Sequence, residues 1–198
     1  MIQAEQNSIL EFIPKISTRV IAPRELVDVL QDLTSQLVEV VNDGASLGFM
    51  PPLDEDLARD YWISLLPELR SGRRLLFVAT LEGRVAGSAQ LVPSHLPSSP
   101  HRAAVEKVFV NPLMQRRGVG TTLMYAIEEL AIHYGRTLLV LNTRYDEAAH
   151  HWYRSLGYHD GGVVPGWTIG PGGQPYTDVT MYKQLRLPTR LLRASDVA

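Results

Sequence analysis

A turn rich in glycine and arginine lies in the middle of the chain and has the features of a diphosphate site. It reads Gln115-Arg116-Arg117-Gly118-Val119-Gly120-Thr121, between a β-branched stretch and an apolar pattern typical of a helix. The first amides of a helix have no intrahelical partner and lie at the positive end of its dipole. Gly118 and Gly120 let a ligand approach the backbone, and the arginines add positive charge.

Two nucleotide-binding motifs can be compared with this turn, and neither fits. A P-loop needs Gly-Lys-Ser or Gly-Lys-Thr, whereas Gly120 is followed directly by Thr121. A dinucleotide-binding turn needs a third glycine at position 123, where this chain has Leu123. A helix start with solvated arginines remains the alternative to a ligand site.

The turn resembles motif A of the GCN5-related N-acetyltransferases (GNAT), written Gln/Arg-x-x-Gly-x-Gly/Ala. Asn142 after the apolar run Leu138–Leu141, and Tyr153 before Leu156-Gly157-Tyr158, also resemble that family. The resemblance spans roughly 75–185. It implies a mixed α/β sheet of about seven strands with helices on both faces. It also implies acetyl-CoA as cosubstrate and no metal, with the cofactor held by Gln115 to Thr121, by the backbone of Phe109 and Val110, and by Asn142.

The reaction that this resemblance implies is attack of an amine on a thioester. An alkyl amine has a pKa near ~10.4, so only about one molecule in 2,500 is unprotonated at neutral pH. A general base takes the extra proton from the amine, and Glu106 is the candidate for this role because of its place in the family's strand. Tyr153 is the candidate donor of a proton to the leaving thiolate. A solvated strand acid and an aromatic packing residue are the respective alternatives.

Two stretches resemble a narrower group, the tabtoxin-resistance acetyltransferases: Asp43–Met50 and Val164–Tyr176. They imply an acceptor that is a small amino-acid-like amine, such as an antibiotic or toxin. Asn142 departs from that group, which carries aspartate there, and an amide cannot accept a proton as a carboxylate does. The candidate acceptor contacts are Ser46, Phe49, Trp167 and Tyr176, with turn formation and loop anchoring as alternative roles. Arg144 is either a ligand of the CoA phosphates or a solvated side chain.

Two other functions stay open. A protein or peptide N-alpha-acetyltransferase needs an open groove, whereas the long loops 42–53 and 161–176 favour a covered pocket. A non-catalytic acyl-CoA-binding module is the other alternative, and the presence of both Glu106 and Tyr153 argues against it.

The hydrophobic patterns predict the elements that must position these residues. A strand at Thr18–Ile21 precedes helices at Pro23–Val41 and Asp54–Arg70. Three strands follow, at 75–81, 85–92 and 103–110. Later come a helix ended by Gly135, the strand Leu138–Leu141, a helix at Asp146–Leu156, a glycine-rich connection at 163–173 and a strand at 177–184.

Composition bounds the remaining possibilities. The chain has 198 residues, a formal charge of −2 and no cysteine. We therefore expect one N-acetyltransferase domain at 18–185, between an N-terminal segment 1–17 and a tail 186–198. We expect a soluble, cytoplasmic protein that contacts neither nucleic acid nor membrane and forms a homodimer.

Overall fold

The computed structural model describes residues 15–186, which form one seven-stranded mixed sheet in the order β1-β2-β3-β4-β5-β7-β6. The strands are β1 (Ile16–Val20), β2 (Leu75–Leu81), β3 (Arg84–Pro93), β4 (Arg102–Val110), β5 (Leu138–Arg144), β6 (His159–Ile169) and β7 (Pro175–Gln184). The helices are α1 (Leu26–Asn42), α2 (Glu55–Ser64), α3 (Leu66–Arg70), α4 (Val119–His133) and α5 (Ala148–Ser155). Every neighbouring pair of strands is antiparallel except β4 and β5.

Helices cover both faces of the sheet, as the sequence predicted. Helices α4 and α5 pack on one face, where they bury Leu123 and Ile127 against strand residues such as Phe77. Helices α1 to α3 pack on the other face, which includes Val78 of the same strand as Phe77. Successive side chains of a strand point to opposite faces, so one apolar strand supplies both cores. We call these the donor face (α4, α5) and the acceptor face (α1–α3).

The two central strands pair over only a short distance. Parallel pairing joins Arg102–Ala104 of β4 to Leu138–Val140 of β5. Beyond it, β5 continues alongside β7 and β4 alongside β3, so an opening forms between them. Asn142, which the resemblance assigns to the cofactor, lies two residues past the last β5 residue paired with β4.

A bulge in β4 changes the face to which its side chains point. Gln90 of β3 is opposite Glu106, but Ser88, two residues earlier in β3, is opposite Phe109, three residues later in β4. The bulge contains Lys107, whose φ of +51° lies in the left-handed region. As a result Val105 packs on the donor face and Phe109 on the acceptor face, although the two are four residues apart.

Three predicted elements differ from the structure. The helix predicted at Asp54–Arg70 is two helices, because Pro67 has no N–H to continue the hydrogen-bond ladder. The helix predicted from Asp146 begins at Ala148. The connection predicted at 163–173 is strand as far as Ile169, with a bulge around Pro165 to Trp167. Glycine and proline disfavour central strands, but β6 is an edge strand, where both are tolerated.

The ends of the predicted domain lie close to the limits of the description. Strand β1 begins at Ile16, two residues before the predicted start at Thr18. Most of the predicted N-terminal segment 1–17, and the tail from residue 187, lie outside the described residues. Within residues 15–186 no helix is both long enough and apolar enough to cross a membrane.

Candidate active site

A cleft of about 510 Å³ lies at the opening between β4 and β5, and we call it the main cleft. It is lined by 104–108 of β4, 140–144 of β5, part of the α1–α2 loop (residues 43–54), Tyr153 of α5 and Trp167 of β6. A second cavity of about 280 Å³, the side cavity, lies under the α1–α2 loop beside Tyr176. The two share Ala45, Ser46, Gly48, Arg144 and Thr168, so they adjoin.

Glu106 lines the main cleft and is held by an arginine. Its Oε2 lies 2.8 Å from Nη1 of Arg74, and Nε of the same guanidinium lies 2.7 Å from Glu68. Arg74 is the most buried of the three side chains, at 13% exposed, while Glu106 is 40% exposed. Because Val105 points to the donor face, its neighbour Glu106 points to the acceptor face. The carboxylate is therefore oriented by the ion pair and still open to the cleft.

The same arginine connects Glu106 to a buried polar pair. Nη1 of Arg74 also donates to Oε1 of Gln90, a residue with no exposed surface. The Gln90 amide bonds the hydroxyl of Tyr61, with Nε2 and Oη 2.8 Å apart. Burial raises the pKa of Tyr61 to about 12, so its hydroxyl stays protonated at neutral pH. These bonds fix the Arg74 guanidinium from behind the cleft.

Lys107 occupies the bulge and reaches the α1–α2 loop. Its ammonium lies 5.7 Å from the ring centroid of Phe49 and 5.9 Å from that of Tyr61, within the range of cation–π contacts. Gly48 makes room for it, since a Cβ there would lie 3.3 Å from Nζ. Burial lowers the pKa of the Lys107 ammonium. The contact holds the loop against β4 at the mouth of the cleft.

Tyr153 approaches the cleft from the donor face. Its side chain is 7% exposed and packs beside Trp152 and Tyr158, at ring distances of 4.8 and 5.7 Å. Burial raises the pKa of the Tyr153 hydroxyl, because the phenolate is poorly solvated there. The hydroxyl therefore carries its proton at neutral pH, as a proton donor must. Glu106 and Tyr153 line one cleft from opposite faces of the sheet.

Asn142 lies between these two residues on β5. Its neighbour Leu141 packs on the donor face, so Asn142 points to the acceptor face. Its Oδ1 accepts a hydrogen bond of 2.7 Å from Thr180 of β7. The amide nitrogen has no hydrogen-bond partner among residues 15–186 and lines the main cleft region.

The glycine and arginine turn leads into α4 without a capping side chain. Gly118 is the residue before the helix, with φ of +88°, and Arg116 is also left-handed at +61°. No side chain bonds the first amides of α4, in contrast to α2, where Asp54 accepts from Leu57 at 2.7 Å. Both Arg116 and Arg117 are exposed, and neither takes part in an ion pair within residues 15–186. Free amides and free cations together suit a diphosphate.

The two glycines of the turn serve different purposes. A Cβ on Gly120 would lie 3.0 Å from Cζ2 of Trp152, so this glycine lets α4 pack closely against α5. A Cβ on Gly118 would meet only Ile16, at 3.6 Å, but its left-handed backbone disfavours other residues. The sequence analysis gave both glycines the task of admitting a ligand, and the structure gives Gly120 a packing role.

The chain is also similar in sequence to known proteins. The model of the acetyltransferase (GNAT) family matches residues 38–158, more than half of the chain. The chain belongs to the GNAT acetyltransferase family. It is 33% identical over 119 residues to an uncharacterized N-acetyltransferase encoded in the hisH–hisA intergenic region of Azospirillum brasilense, covering 58% of this chain and 68% of that protein.

Solved structures share the same GNAT fold. A ribosomal-protein-alanine N-acetyltransferase of Brucella melitensis superposes with a TM-score of 0.70 at 22% identity, over 85% of this chain and 99% of that one. yncA of Salmonella typhimurium, solved with its cofactor acetyl-CoA, also gives 0.70 at 18% identity, over 88% and 96%. The chain is therefore a GNAT N-acetyltransferase that uses acetyl-CoA as its acetyl donor.

The residues predicted to contact this donor are spread over two places. The uncapped start of α4 fits the diphosphate, and the opening between β4 and β5 fits the long arm of the cofactor. The side chain of Phe109 is 6% exposed and packs against Trp62, at a ring distance of 6.3 Å, and that of Val110 packs toward Gly120. Neither side chain lines the main cleft, in agreement with the expectation that they contact the cofactor through their backbone.

The predicted acceptor residues surround the two cavities. Ser46 lines both, Trp167 lines the main cleft, and Phe49 and Tyr176 line the side cavity. Phe49 packs edge-on against Tyr61 with centroids 5.1 Å apart. Trp167 is 55% exposed, so it forms an outer wall.

Several site residues escaped the sequence analysis. Arg74 and Tyr61 carry no motif, Lys107 was noted only within the stretch Arg102–Lys107 that resembles the tabtoxin-resistance group, and the roles of all three depend on contacts between distant segments. One signal was available: Gln90 is a polar residue within the apolar strand β3, and a buried amide requires partners. Arg144 had been considered only as a phosphate ligand or a solvated residue, whereas its side chain is 15% exposed and stacks on Tyr176.

Proposed function

We propose that this N-acetyltransferase acetylates the amine of a small amino-acid-like molecule. The observation that carries the proposal is the covered acceptor side of the main cleft. The α1–α2 loop lies over it, and Lys107 holds the loop near its middle, at Phe49. Asn42 ties the two ends of the loop together, accepting from the amide of Leu53 at 2.8 Å and donating to its carbonyl at 3.2 Å. A loop held in this way favours a compact acceptor over an extended peptide.

The roles of the site residues follow from their places. Acetyl-CoA, when bound, supplies a thioester whose carbonyl carbon the acceptor amine attacks. Glu106 points to the acceptor face, so we assign it the removal of the proton from the ammonium, directly or through water. Tyr153 reaches the cleft from the donor face with its hydroxyl protonated, so we assign it the donation of a proton to the leaving sulfur. Asn142, between them, orients ligands by hydrogen bonding because it cannot act as a base.

The resemblance to tabtoxin-resistance acetyltransferases supports the same class of acceptor. The two stretches that carry it, 43–50 and 164–176, are far apart in the chain. Both contribute residues to the side cavity, among them Phe49 and Tyr176. We infer that this cavity accommodates the body of the acceptor, and a toxin or antibiotic with an amino-acid skeleton belongs to that class.

A thiol-release assay tests the proposal. The protein is incubated with acetyl-CoA and three sets of acceptors: free amino acids, short peptides with free amino termini, and amines without a carboxylate. Release with amino acids and not with peptides is expected. Release with peptides alone identifies a peptide N-alpha-acetyltransferase instead. Acetyl-CoA binding by calorimetry without any release indicates a binding module.

A further inference from the structure

Arg144 lies at the junction of the main cleft and the side cavity. Among residues 15–186, five line both spaces, and Arg144 is the only one of the five that carries a charge. It is also the only charged residue of this part of the chain that lines the side cavity, whose other walls are mostly apolar or aromatic. A ligand that fills both spaces must therefore pass this guanidinium.

The side chain of Arg144 is on the side of the sheet where the acceptor is expected. Along β5, Leu139 and Leu141 pack on the donor face, so the residues at even positions point to the acceptor face. The arginines of the diphosphate turn precede α4, on the donor face. Its place thus favours contact with the acceptor over contact with the CoA phosphates.

The guanidinium is held in position, but few of its N–H donors form hydrogen bonds within residues 15–186. It stacks on Tyr176, with Cζ 4.0 Å from the ring centroid. Nη1 makes two long contacts, 3.5 Å to the carbonyl oxygen of Gly44 and 3.6 Å to Oε1 of Glu147. Nε is buried and has no partner within residues 15–186. A guanidinium has five N–H donors, and both contacts engage one nitrogen.

The ion pair with Glu147 does not satisfy this charge. Glu147 is 49% exposed, so its carboxylate is solvated and its attraction to Arg144 is screened by water. Asp178, the residue opposite Arg144 in β7, also lines the cleft, and its Oδ1 accepts from the hydroxyl of Thr168 at 2.9 Å. A partly desolvated guanidinium with unused, coplanar donors is a receptor for a carboxylate, which it binds through two parallel hydrogen bonds.

We propose that Arg144 binds a carboxylate of the acceptor, so that the enzyme acetylates amino acids and discriminates against the same molecules without the acid group. The proposal rests on the proposed function of the site and makes it more specific. The ring of Tyr176, on which Arg144 stacks, fixes the plane of the guanidinium. The apolar side cavity then accommodates the acceptor's side chain.

The test uses pairs of acceptors that differ only in the carboxylate: leucine, methionine and phenylalanine, each with its carboxamide. The amine of a carboxamide is less basic, so the readout is the effect of each mutation on the acid divided by its effect on the amide. R144Q is expected to lower kcat/KM for the acids by roughly 10- to 100-fold, mainly through KM, the range for hydrogen bonds to a charged group. The amides should change less than about threefold. R144K should be intermediate, because it keeps the charge and loses the planar fork.

The controls separate this role from others. R84Q replaces an exposed arginine at the start of β3, outside both cavities, and should leave all values unchanged. The KM for acetyl-CoA should be the same in R144Q and the wild type, and an increase would mean that Arg144 binds the cofactor, which overturns the proposal. Equal losses for acid and amide overturn it as well. If the wild type acetylates none of the pairs, the proposed function is wrong and this inference is overturned with it.

Discussion

The guanidinium of Arg74 lies 2.8 Å from the carboxylate of Glu106, so the candidate base is one member of a fixed ion pair. Arg74 comes from the segment before β2 and Glu106 from β4, and Gln90 of the intervening strand bonds the same nitrogen. The carboxylate is thereby oriented toward the acceptor face. Once Glu106 has taken a proton, its attraction to Arg74 is weaker.

Replacing Glu106 by glutamine should lower kcat by roughly 100-fold or more, within the range for loss of a general base. The KM for acetyl-CoA should stay nearly the same, because the residue points away from the donor face. Steady-state rates at one pH, with each substrate varied in turn, measure both quantities. The matched control is E68Q, which removes the other acid bonded to Arg74 but does not line the cleft. An unchanged kcat in E106Q would remove Glu106 from the mechanism.

Arg74→Met should act through the orientation of Glu106. We expect a lower kcat with little change in the KM for acetyl-CoA, because Arg74 does not line the main cleft. It should also lower the melting temperature, since two carboxylates and the buried Gln90 lose their partner. R74K restores one charge without the fork, so partial recovery of kcat is expected, measured beside thermal unfolding of all three proteins. Loss of stability with normal kcat would limit Arg74 to a structural role.

Tyr153→Phe should reduce turnover without unfolding the protein. The hydroxyl makes no hydrogen bond to residues 15–186, so its removal costs little stability, while the leaving sulfur loses its proton donor. We expect a decrease in kcat of about 10- to 100-fold, at an unchanged melting temperature. Tyr158→Phe is the control: that tyrosine is also buried, but it does not line the cleft. Full activity in Y153F would show that solvent or another group protonates the sulfur.

The sequence predicted the fold well because the period of its apolar residues records which faces are buried. Leu138–Leu141 is strand β5 as predicted, but only Leu139 and Leu141 are buried, and Val140 faces the main cleft. The turn Gln115–Thr121 could be compared with known phosphate sites because its glycines and arginines are contiguous. The helix break at Pro67 and the strand character of Val163–Ile169 were missed. The break has a local cause, since proline interrupts the hydrogen-bond ladder of a helix. The strand depends on its place at the edge of the sheet, which local propensity does not record.

The residues around Glu106 could not be derived in the same way. Arg74 and Tyr61 meet at Gln90, which belongs to a distant segment of the chain. Lys107 reaches the α1–α2 loop from the bulge in β4, and a bulge leaves no dependable sequence signal. The same bulge changes the face on which Phe109 lies. The position of Arg144 between two cavities likewise depends on how the loop and β6 fold over the sheet. Motifs predicted the donor site, whereas the proposed acceptor site depends on tertiary contacts.

Replacing both Arg116 and Arg117 by glutamine should weaken acetyl-CoA binding. Charge-assisted hydrogen bonds to phosphate are among the stronger ones, so we expect the Kd to rise by roughly 10-fold or more. The remaining affinity should also depend less on salt between 50 and 500 mM, because fewer charges are left to screen. Calorimetric titration at several salt concentrations measures both effects, with R84Q as control. An unchanged Kd would mean that the arginines are solvated and that the amides of α4 act alone.

A change at Gly120 is a poorer test of the same site. Gly120→Ala places a Cβ 3.0 Å from the Trp152 ring, so the variant should unfold at a lower temperature whether or not a ligand is present. Any loss of affinity then has a structural cause as well. Thermal unfolding without ligand checks this expectation, and an unchanged melting temperature would show that Trp152 moves aside freely.

The stability of the protein should decrease at alkaline pH, and Tyr61 should contribute to the decrease. Its folded pKa is about 12, above the value near 10 of an unfolded tyrosine, because it is buried. Between these values the unfolded chain releases a proton that the folded chain keeps, so the free energy of unfolding falls as pH rises from about 10. Burial raises the pKa of Tyr153 and Tyr158 in the same direction.

Urea unfolding from pH 7 to 11.5 measures this dependence. Tyr61→Phe should be less stable than the wild type at pH 7, because Gln90 loses a hydrogen bond, and its stability should fall less steeply above pH 10. Tyr125→Phe is the control, since Tyr125 is 56% exposed and should leave the slope unchanged. If Y61F and the wild type fall with the same slope, the Tyr61 hydroxyl ionises as easily in the folded protein as in the unfolded chain, and burial does not hold its proton.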